Sequence, residues 1–133
     1  MKRYFVTSAI AAATAVFLAG VSTSAMAQGK LSGDSVKIGV LTDMSGVYAD
    51  YGGPGAVAAA KMAVKDFGGK MFGKPIEVVN ADHQNKPDIA KNVTQQWFDR
   101  DGVDMTVENL NSAVALTVQA LGKEKNKITI VTG

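Results

Sequence analysis

The sequence predicts an α/β protein, a parallel sheet with helices on both faces in the order βαβαβαβ. Three observations predict it. Four short β-branched and apolar runs recur around Val36, Ile76, Val103 and Ile128. Between them lie three stretches whose apolar residues repeat at helical spacing. Each of the first three runs ends in a polar loop before the next helix opens, as in strand–helix units joined by right-handed crossovers.

The first strand begins at Val36 and carries Ile38, Val40 and Leu41, with Gly39 the one small residue in the run. A polar loop with Ser45, Tyr48 and Tyr51 follows it. Its length exceeds the two to six residues usual for such a connection (about that range). Gly52-Gly53-Pro54 ends the loop, and a helix is expected from 54 to 68, opened by Pro54 and stopped by Gly68-Gly69. Val57, Ala60, Val64 and Phe67 mark its sheet-facing stripe. Residues 71–74 read as a turn and 75–81 as the second strand. Pro87 opens a second helix to about 100, with Ile89, Val93 and Trp97 on one face; on such a stripe Trp97 reads as core rather than as a sugar platform. Val103, Met105 and Val107 alternate as a third strand. The third helix runs from 112 to 125 on Val114, Val118 and Leu121, Asn126 closes it, and 128–131 is the fourth strand.

The N-terminus carries a different pattern. Lys2 and Arg3 precede an uncharged, mostly apolar stretch from 9 to 21, and Ala25 and Ala27 bracket a small-x-small site. That is the pattern of a secretory signal peptide over residues 1–27, cleaved after Ala27. A membrane anchor would need about 20 apolar residues, and Thr14 and Gly20 interrupt a shorter run. Residues 28–133 are then one small exported domain, with the periplasm its expected location. Of 14 basic side chains two lie in the leader, so the remainder balances the 12 acidic ones and implies no nucleic-acid partner. Lys123, Lys125 and Lys127 sit at a helix end, where positive charge complements the dipole. The chain has no cysteine and a single histidine, so no metal centre or disulfide framework is indicated.

In an open parallel sheet, ligands sit at the carboxyl ends of the strands, which makes the loops after them the places to look. Asn111 and Ser112 open the third helix, where unpartnered backbone N–H groups and the helix dipole favour an anion. The same residues also suit a plain N-cap, and both readings stay open on these residues. Asp82, His83 and Gln84 end the second strand; without a second group in reach for acid–base work they read as loop-ordering residues. Residues 53–58 fit the G-x-G-x-x-G/A dinucleotide pattern, but its first glycine should follow the strand directly, and Gly53 lies well beyond Leu41. An exported dinucleotide-dependent enzyme is the disfavoured alternative, and no cofactor is expected.

The run Ile38-Gly39-Val40-Leu41-Thr42-Asp43-Met44-Ser45-Gly46, then Tyr51-Gly52 and an alanine-rich helix, resembles the type I periplasmic substrate-binding proteins of ABC importers. Within them it is most similar to the leucine/isoleucine/valine-binding branch and its paralogues. Residues 73–79, Ala81-Asp82-His83-Gln84 and Asn111-Ser112-Ala113 continue the resemblance across 28–133. It implies the first part of the N-terminal lobe of a two-lobed receptor. It also implies a small-molecule ligand, an amino acid or similar carboxylate, and an ABC permease as partner. By the same resemblance Ser112 contacts the ligand carboxylate, Asn111 and Ala113 flank it, and Tyr51, with Tyr48 and Ser45 on its loop, packs nearby. Glu108 departs from the family pattern, where a small or apolar residue is more usual. A chain ending at Gly133 is expected to lack the hinge and the second lobe, so a truncated product without a transport role is the other alternative.

Overall fold

A computed structural model describes residues 33–132; the signal segment 1–27 falls outside the described residues. The elements are β1 (Val36–Thr42), α1 (Gly53–Asp66), β2 (Lys70–Met71), β3 (Lys74–Asp82), α2 (Pro87–Asp99), β4 (Met105–Glu108), α3 (Ser112–Lys125) and β5 (Ile128–Thr129). They form one sheet of order β2-β3-β1-β4-β5. β3, β1, β4 and β5 are mutually parallel, in the register Ile38↔Val78, Ile38↔Met105 and Met105↔Ile128.

β1 is the centre of the sheet, and its composition explains why. Val40 and Leu41 are adjacent, point to opposite faces and are both fully buried, the pattern of a strand covered on both sides. One face carries α2 and α3 packed on each other. There Leu41, Ala90, Trp97, Phe98, Val103, Val114 and Val118 make the core; of the sequence-predicted stripes it takes Trp97, Val114 and Val118, with Val93 partly buried against it, while Ala90 and Phe98 replace Ile89 on the α2 side. Gly39 is required at this contact: a Cβ on it would lie 2.5 Å from the Trp97 ring. The opposite face carries α1 over β1 and β3. Two local devices set α3: Asn111 caps its start, and Asn126 closes it in the left-handed conformation, φ 53°, which asparagine tolerates.

Four details differ from the sequence reading. The turn expected at 71–74 is a hairpin, in which β2 pairs antiparallel with the start of β3 (Lys70↔Pro75, Met71↔Lys74). Its two central residues, Phe72 and Gly73, have φ of 52° and 78°, the signs a type I′ turn demands. Val103 lies ahead of β4 rather than within it, buried under α2, whose Trp97 carbonyl accepts its N–H. β5 is two residues long rather than four. Phe67, the last residue of the α1 stripe, is 62% exposed, because the helix ends at Asp66 and the ring lies at the rim of an apolar groove with Ile38, Val64, Ile76 and Val107.

Phenylalanine is a poor residue for a left-handed turn position. Phe72→Asn is expected to stabilise the protein by about 0.5–1 kcal/mol, read as an increase in the urea midpoint. An unchanged or lower midpoint would show that the exposed ring contributes more than the backbone conformation costs.

Candidate functional site

The loops leaving β1, β3 and β4 meet at the carboxyl end of the sheet, and three carboxylates, two of them buried, organise them. Asp43, fully buried, accepts from the Gly46 N–H at 2.7 Å and from the Tyr48 N–H at 3.0 Å. It thereby folds the loop after β1 back on itself, and Gly46 leaves room for it: a Cβ there would fall 2.5 Å from Asp43 Oδ2. Asp82 ties the same loop to β3, accepting from the Met44 N–H (2.9 Å), the Ser45 hydroxyl (2.6 Å) and the Gln84 N–H (2.7 Å). Burial raises the pKa of Asp82, but the Ser45 hydroxyl, the two amides and the neighbouring His83 outweigh it, so the carboxyl titrates below its ordinary value. These bonds stabilise the loop above the ordinary carboxylate range and are lost as pH falls through the lowered pKa.

Glu108 joins three segments. Its buried carboxylate accepts from the Thr42 hydroxyl at 3.3 Å and from the Thr132 hydroxyl at 2.7 Å, while its carbonyl accepts the Thr132 N–H. Thr42 Oγ1 in turn accepts the Gly53 N–H that opens α1, at 2.9 Å. A Cβ on Gly52 would collide with Glu108 Oε1, so the glycine before α1 makes room for the carboxylate. The charge that stood out in the sequence is thus engaged by two hydroxyls.

Tyr48, Leu110, Asn111, Ser112 and Ala113 line an open concavity of about 490 Å³ at this end. Four of the six residues singled out from the sequence are therefore together: Tyr48, Asn111, Ser112 and Ala113. Tyr51 is 86% exposed beside them, its ring edge-on to Tyr48 with centroids 6.5 Å apart. Ser45 is turned away, its hydroxyl taken by Asp82.

Asn111 and Ser112 divide two tasks. Asn111 Oδ1 accepts from the Ala113 N–H (2.7 Å) and the Val114 N–H (3.2 Å), the N-cap geometry. Its Nδ2 donates to Asn85 Oδ1, so the whole amide is engaged. The Ser112 hydroxyl, exposed in the first turn, has no hydrogen-bond partner among the described residues. Sequence reasoning missed Leu110 and Asn85. Leu110 carried no polar signal, and Asn85 lies 26 residues from the side chain it holds.

His83 is fully buried at the end of β3. The Asn85 N–H donates to its Nδ1 at 3.0 Å, so a neutral ring carries its proton on Nε2, which is buried without a partner among the described residues. Burial lowers its pKa below the ordinary histidine value, against the opposing pull of Asp43, Asp82 and Glu108. An unfolded chain takes up this proton near pH 6.5 (about the free value), whereas the folded chain does so only in more acid solution. Between those points the unfolded state binds more protons, so stability falls as pH drops below about 6.5. His83→Gln is expected to flatten that slope in urea unfolding between pH 5 and 8; an unchanged slope would assign it to other groups. Among the described residues no group of three or more His, Cys, Asp or Glu side chains is placed to hold a metal. Residues 53–58 begin α1 after a long loop, with the Gly53 N–H held by Thr42, and do not form the tight strand-to-helix turn of a dinucleotide site.

The chain matches the family model for periplasmic binding proteins over residues 35–133. No curated protein matches it. Among solved structures, it is similar to a periplasmic binding protein from Burkholderia mallei, at 58% identity and a TM-score of 0.73, over 75% of this chain and 27% of that one. A branched chain amino acid ABC transporter periplasmic ligand-binding protein from Burkholderia xenovorans LB400 is 48% identical, with a TM-score of 0.71, over 73% of this chain and 26% of that one. A solute binding protein of an ABC transporter from Rhodopseudomonas palustris BisB5, in complex with 3,4-dihydroxy benzoic acid, is 28% identical with a TM-score of 0.67, over 74% of this chain and 27% of that one. The chain thus spans about a quarter of the length of the structures it matches. With the family model matched over residues 35–133 and the fold shared with these structures, the chain belongs to the periplasmic binding proteins, and its fold is that of the N-terminal part of the type I members serving ABC transporters.

Proposed function

We propose that this chain forms ligand-contacting surface of a periplasmic solute receptor, which binds an amino acid or related carboxylate and presents it to an ABC permease. The observation that carries the reading is the Ser112 hydroxyl, unpartnered in the first turn of α3 and open to the concavity with Tyr48. A hydroxyl at a helix N-terminus suits a carboxylate, because it donates a hydrogen bond where the helix dipole also favours negative charge. Tyr48, edge-packed on Tyr51, offers apolar area with a polar tip to the rest of the ligand. Two of the three named relatives point the same way: branched-chain amino acids and 3,4-dihydroxybenzoate share a carboxylate and differ in the group beyond it. Export to the periplasm by way of residues 1–27 and delivery to a membrane permease complete the reading.

The test is a titration of the full chain with leucine, isoleucine, valine, benzoate and 3,4-dihydroxybenzoate, followed by amide chemical shifts, which register weak binding. At least one is expected to shift Ser112, Ala113 and Tyr48. Ser112→Ala is expected to weaken that ligand roughly 10- to 100-fold, the loss of one hydrogen bond to a charged group (about 1.5–3 kcal/mol). If no carboxylate moves these residues, or the alanine variant binds as well, the reading fails.

A further inference from the structure

We propose that Asn85 is a positioning residue. Held by His83, it sets the conformation of Asn111 and through it the first turn of α3, so that the presentation of Ser112 depends on the protonation of His83. Its consequence for ligand affinity rests on the proposed function; the relay itself does not.

The geometry is a chain of hydrogen bonds from β3 to α3. His83 Nδ1 accepts the Asn85 N–H at 3.0 Å, Asn85 Oδ1 accepts from Asn111 Nδ2, and Asn111 Oδ1 accepts the N–H groups of Ala113 and Val114. Asn111 is the link under constraint. Its φ of 92° and ψ of 122° lie outside the regions a residue with a Cβ ordinarily occupies. Such a conformation persists only where the surroundings hold it. Here one end of the side chain is held by Asn85 and the other by the helix it caps. A merely capping asparagine would need the second contact only.

His83 is the sensitive point. A proton on Nδ1 would face the Asn85 N–H, two donors opposed at hydrogen-bond distance, and the contact must open. Asp43 from the loop after β1, Asp82 at the end of β3 and Glu108 at the end of β4 all favour that proton electrostatically, while burial resists it. Lys86, the remaining neighbour, gives only its backbone N–H to the His83 carbonyl; its ammonium is exposed beside Gln84. Among the described residues the ring is joined to the concavity only through Asn85, which bonds Asn111 on its lining.

The experiment is amide hydrogen exchange on the ¹⁵N-labelled full chain, each rate taken relative to its intrinsic value. Asn85→Gly keeps the left-handed backbone (φ 56°) and the N–H to His83 but removes the acceptor for Asn111. Asn85→Asp keeps the acceptor. The glycine variant is expected to lose roughly three- to tenfold of the protection at Ala113 and Val114, the loss of one neutral hydrogen bond, and the aspartate variant to retain it. Acidification through the His83 titration, followed by its ring ¹⁵N shifts, is expected to produce the same loss in the natural chain. In His83→Gln, whose amide oxygen can accept from Asn85 at any pH, that loss should be absent. Protection at Ala113 and Val114 that ignores both Asn85→Gly and His83 protonation overturns the relay. If a variant does not fold, the ring titration in the natural chain decides alone. Isoleucine and 3,4-dihydroxybenzoate affinities, measured alongside, separate the two ideas. Weaker binding in Asn85→Gly with rescue by Asn85→Asp supports both, and a relay seen by exchange with none of the five carboxylates bound leaves the relay standing and the proposed function refuted.

Discussion

Trp97→Ala is expected to remove most of the protein's stability while leaving a folded state that urea can still titrate. The indole is the largest side chain of the core. It packs on the bare Cα of Gly39 in the central strand and among Leu41, Ala90, Phe98, Val103 and Val118. Truncating such a residue costs about 3–5 kcal/mol in lost burial and unfilled cavity. Small domains have only about 5–15 kcal/mol in total, and one of this size sits toward the lower end. The measurement is urea unfolding by far-UV circular dichroism, since the fluorophore is removed. A loss under about 1 kcal/mol would mean that the sheet and α2 are held by something other than this contact. Gly39→Ala probes the same contact from the opposite side. Its Cβ would stand 2.5 Å from the ring, an overpacking worth about 1–3 kcal/mol. Because the clash requires the indole, the two costs should not add: in the Trp97→Ala background Gly39→Ala should cost far less.

Glu108→Ala is expected to cost about 1–3 kcal/mol and to loosen three segments at once. Removing the carboxylate strands the buried Thr42 hydroxyl, frees the segment at Thr132, and opens space beneath Gly52. Glu108→Gln keeps one acceptor, and the threonine hydroxyls can rotate to meet its amide, so it should cost under about 1 kcal/mol. A double-mutant cycle with Thr132→Val should return a coupling of about 0.5–1.5 kcal/mol. Zero coupling would show that the 2.7 Å contact contributes nothing to folding. The comparison also bears on ligand charge. A carboxylate beside an anion site would ordinarily be a liability, yet here its oxygens are directed at hydroxyls of β1 and of the segment after β5.

The helices were legible because their signals are local. Pro87 and Asn126 mark a start and a stop within one turn of the residues they affect, and the stripes of α2 and α3 repeat at 3.6 residues. Both helices lie within a residue of where those signals place them. β1 was legible for a related reason, since a strand buried on both faces reads as a continuous apolar run. The β2 hairpin was not. Two residues are too few for a pattern, and Phe72 in a left-handed turn contradicts its own propensity. Phe67 misled in the other direction, because the apolar period continues past the last residue the sheet can cover.

The candidate site divides along the same line. Asn111 and Ser112 at the head of a helix could be found by reading along the chain, since a cap acts within three residues. Which of them caps and which stays free could not, because the answer depends on Asn85, 26 positions away. The engagement of Glu108 by Thr42, 66 positions away, was equally out of reach. Periodicity, turns and caps are short-range and are written in neighbouring residues. The sequence alone therefore determined the class of fold and the alternation of its three helices with the parallel strands. Only the strand order β2-β3-β1-β4-β5 decided which loops became neighbours. Once β1 lay between β3 and β4, their polar ends were forced into one low-dielectric cluster, where an unpaired donor or acceptor is costly. Asp82, Glu108 and the amide pair of Asn85 and Asn111 were settled in part by partners distant in sequence, whereas Asp43 found its own within five residues.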